Sequence, residues 1–111
     1  MLKRIFSASL LLAATTGGAS ADRDDGYWVI VGNLLETDYD NTASEAIRNR
    51  VRACGFEPFN DFSAKFSGFR PGFNTFLLGA YETRAEARTV LNTARRCVPD
   101  AYIRRGTYSG E

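Results

Sequence analysis

A chain of 111 residues, 24% of them charged and 44% hydrophobic, with a net charge of +1, has room for one small domain and carries no charge excess suited to nucleic acid or anionic lipid. It holds no histidine and two cysteines. That excludes a histidine-activated nucleophile and leaves too few ligands for a zinc site. No Gly-rich phosphate loop follows an apolar run either. The residues therefore offer no catalytic constellation, no metal site and no cofactor site, and the chain reads as a non-enzyme.

The first segment reads as a targeting signal. Lys3-Arg4 forms a basic start, residues 5–14 are mostly apolar, and Ala19-Ser20-Ala21 is a small-residue cleavage site. The apolar run is about half of the ~20 residues needed to span a bilayer. The expected organisation is a secretory signal over 1–21, a loose polar leader over 22–26, one domain over 27–108 and a short tail over 109–111. Without Lys3 and Arg4 the net charge falls from +1 to about −1. An exported protein without a stable membrane anchor follows, one that binds no nucleic acid.

Within the domain a pattern occurs twice. An apolar run closed by glycine, Val29-Ile30-Val31-Gly32, precedes a helix signal at Thr42-Ala43-Ser44-Glu45 and an end at Arg52-Ala53-Cys54. Then Phe76-Leu77-Leu78-Gly79 precedes Thr83-Arg84-Ala85-Glu86 and Arg95-Arg96-Cys97. Thr-x-x-Glu is a capping box in both copies, so Thr42 and Thr83 are the expected helix starts. Glu36, Asp38 and Asp40 lie in an acidic loop before the first helix. Ala43, Ile47, Val51 and Cys54 recur at helical spacing, and Gly55 stops that helix. Ala87, Val90, Leu91, Ala94 and Val98 form the second apolar face.

Phe59, Phe62, Phe66, Phe69, Phe73 and Phe76 recur every three or four residues, but Gly68, Pro71 and Gly72 forbid one helix. An extended run over 56–62, a long loop and a strand over 73–78 are expected, the phenylalanines sealing the side of the core. Phe73 is the one expected at the surface. The last strand, 101–108, admits two registers, because Tyr102 and Arg104 lie opposite Ile103 and Arg105.

Two strand–helix units, each followed by a further strand, give the order βαββαβ: an α+β fold with both helices on one face of a four-stranded antiparallel sheet. Val29, Val31, Phe76 and Leu78 should face the helices, and Trp28, Ile30, Thr75 and Leu77 the other way. That second face is expected to be bare and available for binding.

Tyr27-Trp28-Val29-Ile30-Val31-Gly32, the helix ending at Gly55, Leu77-Leu78-Gly79-Ala80-Tyr81, Thr83-Arg84-Ala85-Glu86-Ala87 and Pro99-Asp100-Ala101-Tyr102-Ile103-Arg104 together resemble a SPOR domain. The resemblance runs from about Tyr27 to Arg105. It implies a ferredoxin-like fold, a location in the bacterial periplasm, and non-catalytic binding of peptidoglycan glycan strands that have lost their stem peptides. Carried over by position, it places Ile30, Asn33, Phe73, Thr75 and Ile103 in the groove. Trp28 and Phe73 supply aromatic surface on the sheet. Ile30 stands where the family commonly has glutamine, Asn33 where it has serine, and Thr75 where a basic residue is frequent. These departures favour a second reading, in which Ile30 and Leu77 form an apolar patch that docks a cell-envelope protein. Glycan binding by a near-neutral domain is expected to tolerate salt.

Export and a pair of cysteines suggest a Cys54–Cys97 disulfide. The topology argues the other way. Each cysteine ends its own helix, and antiparallel helices lying side by side hold those ends roughly 20 Å apart. The residues leave both possibilities open.

Overall fold

A computed structural model describes residues 23–110; the proposed signal over 1–21 lies outside the described residues. Six main elements follow in the expected order: β1 (Asp25–Leu35), α1 (Asn41–Arg52), β2 (Phe59–Phe62), β3 (Phe73–Tyr81), α2 (Arg84–Ala94) and β4 (Tyr102–Thr107). They form one four-stranded sheet in the order β2-β3-β1-β4, antiparallel throughout. This is the expected α+β arrangement, consistent with a ferredoxin-like fold. β1 begins inside the expected leader, because Asp25 and Gly26 pair with Thr107 and Gly106.

The core between sheet and helices follows the alternation in the strands. Val29, Val31, Phe76 and Leu78 pack with Val51, Ala87, Leu91 and Ala94, and Ile47 and Val90 close its sides. The α2 capping box is complete: Glu86 N–H donates to the Thr83 hydroxyl at 3.1 Å, and Thr83 N–H donates to the Glu86 carboxylate at 3.2 Å. The α1 start differs from expectation. Asp40, not Thr42, is the N-cap and accepts from Ala43 N–H at 2.7 Å. A carboxylate caps at least as well as a hydroxyl and also complements the positive end of the helix. Glu45 is left to pair with Arg48 and Arg52.

The cysteines are joined, with Cα atoms 6.1 Å apart. Each lies in the turn beyond its helix, and the two C-terminal ends converge rather than lying a helix length apart. Ile47 and Arg50 of α1 stand beside Val98 and Asp100, which follow α2, around a cleft of about 380 Å³. Helices that converge at these ends are not aligned side by side over their full length, so the separation of roughly 20 Å expected for aligned antiparallel helices does not arise.

The opposite face of the sheet is not bare. Residues 63–72, joining β2 to β3, leave one edge of the sheet, cross its face and reach the other edge at β4. Phe66 forms a bridge with Tyr108. Ser67 N–H donates to Thr107 C=O at 2.9 Å, and Thr107 N–H donates back to the Ser67 hydroxyl at 2.9 Å. Ser109 N–H donates to Lys65 C=O at 2.8 Å. Under this crossing lies a second core of Trp28, Ile30, Phe66, Leu77 and Ala80, flanked by Phe69 and Tyr108. Phe66 meets Trp28 edge-on at 5.2 Å and stacks on Phe69 at 4.8 Å. Gly106 permits the passage. A Cβ there would sit 2.6 Å from Ser67 C=O and 2.8 Å from the Phe69 ring, so a side chain would push the connection off the sheet.

The phenylalanines accordingly divide. Phe76 belongs to the first core and Phe66 to the second, while Phe69 and Phe73 are half-buried. The exposed ones are Phe59 and Phe62, at 40% and 46%, rather than Phe73.

Candidate functional site

What the crossing leaves open is a groove of about 220 Å³ at the end of the sheet where β1 and α1 connect. Ile30, Thr75 and Asn33 lie along its floor. Ser63, Phe69, Arg70 and Phe73 come from the connection and the start of β3, and Tyr102 and Arg104 from β4.

Strand register decides which side chains face this groove. β4 pairs with β1 so that Ile30 opposes Tyr102, Val29 opposes Ile103 and Trp28 opposes Arg104. Directly opposed residues share a face. Tyr102 and Arg104 therefore lie on the groove side, and Ile103 packs with the helix-side core. Asn33 reaches the groove through a bulge. Strict alternation from Ile30 would turn Asn33 toward the helices, but the register of β1 on β3 shifts between Ile30 and Gly32. Gly32 meets Ile47 on the helix side, and Asn33 comes to oppose Thr75.

A polar ladder crosses the groove. The Thr75 hydroxyl donates to the Asn33 side-chain carbonyl at 2.9 Å, and the Asn33 amide donates to the Tyr102 hydroxyl at 3.2 Å. The ladder holds Asn33 in one orientation and leaves the Tyr102 O–H free to donate outward. Phe73 N–H donates to the Ser63 hydroxyl at 3.1 Å, tying the connection to the start of β3. The Arg104 guanidinium lies over the Tyr102 ring, 5.5 Å from its centroid.

Of the residues carried over from the resemblance, Ile30, Asn33, Phe73 and Thr75 thus meet in one groove. Ile103 does not, because its register places it on the other face. Trp28 does not either: it is 3% exposed, and its indole N–H donates to Gly106 C=O at 3.0 Å beneath the connection. The apolar docking patch built on Ile30 and Leu77 is likewise filled, at 1% and 0% exposure. Phe69, Arg70, Tyr102 and Arg104 were absent from the expected site. Gly106 was the available signal, since a glycine inside a strand marks a close backbone approach.

The groove is anchored by a network behind it. The Tyr108 hydroxyl donates to Asp61 at 2.5 Å, Phe62 N–H donates to it at 2.8 Å, and Lys65 pairs with it at 3.3 Å. Burial pushes the Asp61 carboxyl up, but these three partners outweigh it and hold the group below its ordinary value. Among the described residues no cluster of three or more His, Cys, Asp or Glu could hold a metal, and no helix is long and apolar enough to cross a membrane. Comparison with family models, curated proteins and solved structures gives no match to the chain.

Proposed function

We propose that this is an exported, periplasmic, non-catalytic module of SPOR type that binds peptidoglycan glycan strands in the groove beside the crossing connection. The observation that carries this reading is the pairing of aromatic surface with a fixed polar ladder. Sugars present C–H faces that pack on rings and hydroxyls that exchange hydrogen bonds. Phe69, Phe73 and Tyr102 supply the rings, and Asn33 and Tyr102 supply the polar atoms, with the buried Thr75 hydroxyl fixing Asn33 from below. The departure at Ile30 matters less here than in a bare-sheet site. Ile30 is buried floor, and the polar work falls to its neighbours.

The test is cosedimentation of the protein lacking residues 1–21 with purified peptidoglycan, before and after amidase removal of stem peptides. Retention should rise after amidase treatment. Tyr102→Ala and Phe73→Ala should each lower it with the thermal transition kept. Equal retention of wild type and both variants would overturn the assignment.

A second reading has one observation in its favour. Leu35, Tyr39, Phe59 and Phe62 are large apolar side chains exposed around β2 and the end of β1. Phe59→Asp abolishing capture of a cell-envelope protein, with no glycan retained by wild type, would select a protein-interaction module instead.

A further inference from the structure

The groove contains two guanidinium groups and no acid. Arg70 enters from the connection and Arg104 from β4, and no Asp or Glu lines the space between them. Among the described residues some arginines outside the groove have carboxylate partners: Arg23 pairs with Glu82, Arg48 with Glu45, Arg52 with Glu57, and Arg105, the neighbour of Arg104, with Asp25 at 3.4 Å. Among the described residues neither Arg70 nor Arg104 makes an ion pair. Arg104 has instead the Tyr102 ring beneath it, which restricts the guanidinium while leaving its N–H donors uncommitted.

We propose that the groove selects a carboxylate-bearing saccharide, with Arg104 and Arg70 receiving the carboxylate while the sugar lies on the aromatic and polar surface. A fork of N–H donors matches a carboxylate in two parallel bonds. The inference rests on the glycan reading and sharpens it. A glycan strand freed of its stem peptides ends each former attachment in a free carboxylate, whereas an intact strand has that group tied up as an amide. Two unpaired arginines in the groove would therefore recognise the loss of the peptide by the charge that it uncovers.

The near-neutral charge of the whole domain conceals this. Total balance says nothing about a site where both charges have one sign, and local charge governs the encounter with a charged ligand. Binding to such a strand becomes salt-dependent, in contrast to the expectation drawn from composition.

The experiment uses amidase-treated glycan strands and the same strands with their carboxylates converted to neutral amides. Their affinities for the protein lacking residues 1–21 are measured at low and high salt. The native strands should bind about tenfold more tightly than the amidated ones at low salt. That difference should shrink as salt is added. Arg104→Gln and Arg70→Gln should each shrink the ratio of native to amidated affinity toward one. Arg104→Lys should keep part of the preference, and the thermal transition of each variant shows that it has folded. Equal binding of both strands by wild type would overturn the carboxylate assignment and leave the glycan reading standing. Binding of neither strand would overturn both.

Discussion

Asp61 closes a network where β2, the crossing connection and the last described residues meet. Its carboxylate accepts from Tyr108, from the backbone of Phe62 and from Lys65. These bonds favour the charged form and hold its folded-state pKa below the ordinary 3.8. The sign follows directly. A depressed pKa contributes stability that is complete above the unfolded-state value and is lost as pH falls through the folded-state value. Melts taken from pH 6 to pH 2 should show wild type losing stability below about pH 4, with Asp61→Asn losing less over that interval. Parallel pH profiles for the two proteins would show that the network adds nothing to folding.

At the scale of elements, the crossing connection distinguishes this sheet from one with an uncovered face. Phe66 anchors it, 2% exposed between Trp28, Phe69 and Tyr108. Phe66→Ala should cost about 3–5 kcal/mol, from lost transfer energy and the cavity left behind. The same change should raise Trp28 fluorescence quenching by a soluble quencher, because the indole lies under this segment. A cost below about 1 kcal/mol with Trp28 still shielded would mean that the connection holds without its anchor. The elements were unequally legible. α2 was readable because Thr83 and Glu86 form a local reciprocal cap. The start of α1 was misplaced because Thr42–Glu45 offers the same pattern, while Asp40 two residues earlier caps more strongly. The connection was not legible, because its phenylalanine spacing says that these rings are buried without saying against which face.

Across the whole molecule, the Cys54–Cys97 bond ties the ends of the two helices over a separation of 43 residues. Closing a loop of that length stabilises the folded state by about 4 kcal/mol in the chain-entropy model. Reduction should lower the melting temperature by more than about 10 °C in a domain of this size. Equal melting temperatures for the oxidised protein and the Cys54→Ser, Cys97→Ser double variant would show that the bond is energetically idle.

What the amino-acid order determined by itself was the βαββαβ architecture and the helix-facing core. Both rest on short-range periodicity: alternation at Val29, Val31, Phe76 and Leu78, and helical recurrence at Ile47, Val51, Ala87 and Leu91. Each is a property of a few neighbouring residues, and every segment points to the same arrangement. Three features were decided only in three dimensions. The bulge before Gly32 returned Asn33 to the groove face, because register depends on the partner strand. The pairing of Ile30 with Tyr102 chose Arg104 over Ile103, since both registers of the last strand alternate equally well. The path of residues 63–72 buried Trp28 and left the groove, and contacts between Phe66 and Tyr108 or Ser67 and Thr107 join residues some forty positions apart, beyond the reach of any local pattern.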